Sequence, residues 1–208
     1  MRPLPFLLLL TTLFVSAQAA APQKTIIFFG DSLTAGYGLE DPSLAFPALI
    51  QKRIDAEHLP YRVINAGLSG ETTAGGVRRV DWILRQPVDI FVLELGGNDG
   101  LRGLTPAQAE ANLQTIIDRV RAKNPAVKIV LAGMLMPPNL GEDYIKRFAS
   151  IYPRLAEKNK VTLIPFILDG VGGNPALNQA DSIHPNPRGH AIIAENLWKQ
   201  LRPLLNGS

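Results

Sequence analysis

Gly30-Asp31-Ser32-Leu33-Thr34-Ala35-Gly36, Ala66-Gly67-Leu68-Ser69-Gly70-Glu71-Thr72-Thr73, Gly96-Gly97-Asn98-Asp99-Gly100 and Asp181-Ser182-Ile183-His184-Pro185 are where the polar chemistry of this chain collects. Ser, Asn, Asp and His are the parts of acyl transfer. Glycines let backbone N–H groups come close to a ligand. A nucleophilic Ser needs a base, a group that orients the base, and donors for the developing oxyanion. His184 is the histidine of these stretches, and Asp181 lies three residues before it. In a turn that spacing brings carboxylate and imidazole to one side. Asp169 is a rival carboxylate. Asn98 offers a side-chain N–H, and the backbone at Ser32 and Gly70 offers two more. Glycine-rich loops after strands also bind phosphate, so residue types alone leave that alternative open.

Such residues need rigid elements behind them. Residues 25–29 (TIIFF) are apolar without alternation, the pattern of a strand buried on both faces. Residues 62–65, 90–95, 128–132 and 161–165 are the other expected strands. Helices are expected over 45–57, 72–84, 105–123 and 143–159, and in a last segment from about 187 to 205. Thr105-Pro106-x-Gln108 is a helix start, with Thr as cap and Pro at the first helical position. Asn186-Pro187 repeats the device. This β-α order predicts a mainly parallel sheet with helices on both faces, a three-layer α/β/α sandwich. Ligands of such sheets sit at the carboxyl ends of the strands, where all four stretches fall.

Gly30-Asp31-Ser32-Leu33, Gly70, Gly97-Asn98-Asp99 and Asp181-x-x-His184-Pro185, in this order, resemble the GDSL or SGNH hydrolase family. The strings GDSLTAGYG, ELGGNDGLRG and DSIHPN resemble its bacterial thioesterase, lysophospholipase and arylesterase branch. The resemblance runs from Thr25 to the last helix. It implies a flavodoxin-like fold, Ser32 as nucleophile, His184 as base and acid, and Asp181 as its orienting carboxylate. It further implies an oxyanion hole of the Ser32 N–H, the Gly70 N–H and the Asn98 side chain. The implied activity is ester hydrolysis through an acyl-enzyme, on aryl esters, short-to-medium acyl esters, thioesters or lysophospholipids, with no metal or organic cofactor. An O-acetyl esterase of carbohydrates on the same triad is the alternative, and a non-catalytic binding module is a further one.

Outside those blocks the expectations are plainer. Asp31 and Asp99 should brace loops, because an Asp in a turn binds nearby N–H groups. His58 should be solvated, and His190 should pack or cap. Arg78 and Arg79 should be helix-surface charge. The run 134–141, with Met136 and Pro137, should wall an acyl chain, as should Leu101 and Leu104 after the Asn98 block.

The 208 residues suit one domain. Arg2, the apolar run 5–15 and Ser16-Ala17-Gln18-Ala19-Ala20 read as a secretory leader cut near Ala19, leaving residues 20–208 as the hydrolase domain. The enzyme is therefore expected in the periplasm or secreted by a bacterium, without a stable membrane anchor once cut. Net charge is +3, from 21 basic and 18 acidic residues, too balanced for a nucleic-acid partner. Zero Cys excludes disulfides, thiolate metal sites and a Cys nucleophile, and three His leave little for a His-rich metal site. A small ester or lipid-derived molecule is the expected partner.

Overall fold

The computed structural model describes residues 23–205. The expected leader, residues 1–19, lies outside them. The elements run β1 (Lys24–Gly30), α1 (Ser32–Ala35), α2 (Phe46–Ala56), β2 (Tyr61–Gly67), α3 (Thr73–Ile83), β3 (Ile90–Glu94), α4 (Gly97–Leu101), α5 (Pro106–Lys123), β4 (Lys128–Ala132), α6 (Glu142–Ala149), α7 (Ile151–Asn159), β5 (Thr162–Ile164) and α8 (Pro187–Leu205). The five strands pair in the order β2-β1-β3-β4-β5, every pair parallel. That is the doubly wound order with the topological switch between β1 and β3. The carboxyl ends of both strands lead directly into candidate site residues.

All five residues of β3 are buried, as are the last six of β1. A strand covered on both sides has no face to leave polar, which is why these read as unbroken apolar runs. Phe28 meets Phe46 of α2 edge-on at 5.7 Å between ring centroids. α2 in turn packs against α8, and on the other face α5 packs against α3 and α7. The core thus has two halves divided by the sheet.

Local chemistry sets the helix ends. The Thr105 hydroxyl accepts from the Gln108 N–H at 3.3 Å, with Pro106 at the first position of α5. The helix expected over 143–159 is two, α6 and α7, divided at Ser150. Pro153 gives the reason. In one continuous helix its ring would collide with the carbonyl of residue 149, whereas in the first turn of α7 its missing N–H loses nothing.

Candidate active site

Ser32 opens α1 immediately after β1, at the carboxyl edge of the sheet. Its Oγ lies 2.9 Å from Nε2 of His184, and Nδ1 of His184 lies 2.6 Å from Oδ2 of Asp181. These are hydrogen-bond distances. The three residues come from opposite ends of the chain, and the structure joins them into one relay. Asp169, the rival acid, is exposed, and its carbonyl accepts from Asn196.

The Asp181–His184 loop is shaped by its own backbone. Asp181 Oδ1 accepts the N–H groups of Ile183 and His184 at 2.9 and 3.0 Å. The chain turns back at Ser182, whose φ of +59° is left-handed. A non-glycine residue held there is strained, and such strain persists only where its surroundings enforce it. The hydrogen bond from the His184 ring, followed by those from the His184 and Ile183 N–H groups, pulls the Asp181 pKa down to about 2. An ionised Asp181 accepts from Nδ1–H and leaves Nε2 free to take a proton from Ser32. The Tyr37 ring covers His184, 4.7 Å between centroids, and the Gln179 amide donates to the Tyr37 carbonyl at 2.7 Å.

Behind Ser32 lies a dry acidic floor. Asp31 Oδ1 accepts from the Leu33 N–H at 3.0 Å and thereby caps α1. Its Oδ2 accepts from Nδ2 of Asn98 at 3.1 Å. Burial raises the Asp31 pKa to about 6, although the Leu33 and Asn98 hydrogen bonds oppose the shift. Glu94, the last residue of β3, is also buried. Its Oε2 accepts from the Thr34 hydroxyl at 2.8 Å and the Asp31 N–H at 3.3 Å. Oε1 has no partner among the described residues. Burial, with the Asp31 charge added, holds the Glu94 carboxyl well above the usual range. Asp99 braces the next loop, accepting from the Thr73 N–H at 2.8 Å and the Thr73 hydroxyl at 2.6 Å. Asp31 and Asp99 therefore brace loops, as expected.

Each of the three expected oxyanion donors has an N–H to offer. The backbone N–H groups of Ser32 and Gly70 have no acceptor among the described residues. Asn98 uses one N–H on Asp31 and keeps a second. Gly70 has a φ of +78°, which glycine adopts without a Cβ penalty.

A cavity of about 590 Å³ opens over Ser32 and Asn98, and Gly70 is not among its lining residues. Ser32, Asn98 and His184 line it together with Met134, Met136, Pro137, Phe166 and Leu168. Leu101 is on its wall, as expected. Leu104 is not: after Gly103, at φ +65°, the chain turns away, and the Leu104 carbonyl accepts from the Tyr144 hydroxyl at 2.7 Å. Phe166 and Leu168, in the irregular stretch after β5, were not among the expected wall residues.

Two further expectations meet different fates. His190 is buried in α8 and accepts the Phe46 N–H at Nδ1, 3.3 Å, so it caps α2 as a packing or capping residue should. Arg79 is not surface charge. Its side chain is only 20% exposed, its guanidinium lies 4.0 Å from the centre of the Phe29 ring, and it donates to Glu71 and to the Gly30 carbonyl. The signal was in the helix spacing: Gly75 and Gly76, both buried, stand four and three residues before Arg79 and share its face. For Glu94 the signal was one acid inside a wholly apolar strand.

Residues 28–192 match the GDSL-like Lipase/Acylhydrolase family. "Esterase TesA" of Pseudomonas aeruginosa is 43% identical over 197 residues, 94% of this chain and 96% of that protein. "Thioesterase 1/protease 1/lysophospholipase L1" of Escherichia coli is 40% identical over 204 residues, 98% of this chain and 93% of that protein. The crystal structure of TesA superposes with a TM-score of 0.83 at 43% identity, covering 87% of this chain and 99% of that one.

Proposed function

The chain belongs to the GDSL-like lipase/acylhydrolase family, and from that membership and the geometry at Ser32 we propose that it hydrolyses carboxylic esters and thioesters through an acyl-enzyme on this serine. The observation that carries the reading is the unbroken relay from Ser32 Oγ to His184 to Asp181 at an apolar cavity.

His184 Nε2 takes the proton of Ser32 as Oγ attacks the carbonyl carbon. The negative oxygen that forms is met by the N–H groups of Ser32, Gly70 and Asn98. Asp181 keeps Nδ1 protonated and stabilises the imidazolium. The imidazolium then gives its proton to the leaving alcohol or thiol, and the acyl group remains on Ser32. Water, deprotonated by His184, attacks the acyl carbon; the C–O bond to Ser32 then breaks, His184 returns the proton to Oγ, and the acid leaves. Each step is a proton transfer paired with making or breaking one C–O or C–S bond.

The cavity wall of Met, Pro, Leu and Phe suits an acyl chain, since Met adapts to ligands of different length. Short-to-medium acyl esters, aryl esters and lysophospholipids are the substrates this favours over O-acetyl sugars, whose polar rings would leave such a wall unused. The leader-like residues support a periplasmic or secreted location, which cell fractionation would test.

The test is a p-nitrophenyl ester series from acetyl to palmitoyl, run with the wild type and Ser32→Ala. Activity should disappear with Ser32, by a factor on the order of 10⁶ in kcat. A folded Ser32→Ala that kept its kcat would end the reading. An acetyl-only profile would favour the sugar O-acetyl esterase.

A further inference from the structure

Arg79 touches neither the cavity nor the relay, yet it joins the two chain segments that flank two of the oxyanion donors. Its guanidinium donates to the Gly30 carbonyl at 3.0 Å, two residues before Ser32. It also donates to the carboxylate of Glu71, the residue after Gly70. The centre of the Phe29 ring lies 4.0 Å from the same group, a cation–π contact that leaves the N–H donors to Glu71 and Gly30.

β1 and β2 are in register as far as the pair Gly30 and Gly67. One more bond, from the Leu68 N–H to the Gly30 carbonyl at 3.0 Å, extends that register. Beyond it the segment 69–72 leaves the sheet. Sheet pairing therefore does not set where Gly70 stands relative to Ser32. The Glu71 N–H donates to the Leu68 carbonyl at 3.0 Å and closes a turn around Gly70; the Glu71–Arg79 pair ties that turn to the Gly30 carbonyl, and Arg102 donates to the Gly70 carbonyl at 3.0 Å. Glu71 is buried and lies over Gly75, where any Cβ would strike its carboxylate at 1.6 Å. A buried ion pair is weak evidence for stability, but here one cation is shared between two chain segments.

We propose that Arg79 is a positioning residue of the oxyanion hole, holding the Ser32 and Gly70 N–H groups at the separation the transition state needs. This rests on the reading of Ser32, Gly70 and Asn98 as that hole. Arg79 should matter to the transition state and little to the ground state, because a donor displaced by a fraction of an ångström still permits substrate to bind.

The experiment compares wild type, Arg79→Lys, Arg79→Met, Glu71→Gln and Asn98→Ala on p-nitrophenyl acetate, with kcat expressed per active site titrated by a serine-reactive fluorophosphonate. Asn98→Ala should lower kcat about 10²–10³-fold. Arg79→Met should lower it about 10- to 100-fold, less than outright removal of a donor, with KM changed less than about twofold. Lys restores charge but not the fork, so Arg79→Lys should fall between. A structural role alone would lower the titrated fraction and the melting temperature but leave kcat per site unmoved. That result overturns the proposal. If Arg79→Met does not fold, Glu71→Gln decides by the same measure: a several-fold loss in kcat per site supports the brace, and an unchanged value overturns it. If Asn98→Ala also keeps its kcat, the oxyanion-hole reading itself falls, and Arg79 with it.

Discussion

Asp181 stands on the loop before α8 with 38% of its side chain exposed, whereas Asp31, next to Ser32 in the chain, is 2% exposed. Hydrogen bonds from the His184 ring and two backbone N–H groups pull Asp181 down to about 2. Burial drives Asp31 up to about 6 although it, too, accepts two hydrogen bonds. The pair separates the two forces that move a carboxyl. Where water remains, hydrogen bonding to the anion wins. Where it is excluded, desolvation wins over the same kind of bonding. The exposed carboxylate can serve the histidine at any working pH. The buried one serves the scaffold, as the acceptor that aims Asn98.

The comparison breaks first at Asp181. Asp181→Asn keeps size and shape, but the amide cannot hold the His184 tautomer in the same way. kcat should fall about 10⁴-fold, measured on p-nitrophenyl acetate at pH 8. A loss under tenfold would show that Asp181 is dispensable for orienting His184.

Asp31→Asn should act more gently on rate and in the opposite sense on stability. An amide has one acceptor oxygen, so it cannot serve Leu33 and Asn98 as both carboxylate oxygens do. With Asn98 displaced instead of removed, kcat should fall about 10- to 100-fold. The sign for stability follows from the raised pKa. The native state binds this proton more readily than the unfolded chain, so the contribution of Asp31 to stability declines as pH rises from the ordinary aspartate value of 3.8 to about 6. At pH 8 the whole cost of the buried charge is present, and the neutral amide lacks it. Thermal melts at pH 8 should place Asp31→Asn above the wild type. A lower melting temperature would mean that the Leu33 and Asn98 bonds outweigh the burial of the charge.

The sheet and the edge that carries the site were legible from the chain for one physical reason, whereas the roles of Ser32, Asp181 and His184 came from the resemblance of the four blocks to the family. A parallel strand buried on both faces writes an unbroken apolar run, and the loops after such strands are where chemistry collects. Ser32, Gly70, Asn98, Asp181 and His184 all lie in those loops. What stayed hidden depends on direction instead of position. Whether Arg79 faces water or Phe29 depends on the register of α3 against the sheet, for which only the paired glycines hint. Leu104 was expected on the wall because it follows the Asn98 block, but the left-handed Gly103 sends the chain elsewhere. The break at Ser150 was readable in Pro153, which the long helical spacing masked. Glu94 was readable as an acid where none belongs, although its partner Thr34 lies sixty residues away.

His190 carries the comparison to a group outside the reaction, where the expected effect on activity is smallest. It is buried, and burial, with the positive charge on His184 as a lesser cause, lowers its pKa to about 4. Its Nδ1 accepts the Phe46 N–H, which only the neutral ring can do, and Ala45 offers α2 no side-chain cap. The unfolded chain takes up this proton near the ordinary histidine value of 6.5, and the folded protein does so only near 4. The stabilising contribution is therefore complete above about 6.5, falls as pH drops towards 4, and is flat below it. The span corresponds to about 3 kcal/mol at 1.36 kcal/mol for each pH unit. This is the same desolvation that raises Asp31, acting on a base instead of an acid. His190→Asn keeps an acceptor for the Phe46 N–H and removes the titration. Urea unfolding between pH 4 and 8 should show a shallower decline for the variant, while kcat at pH 8 stays within about twofold of the wild type. Equal slopes for the two proteins would assign the acid sensitivity to other groups.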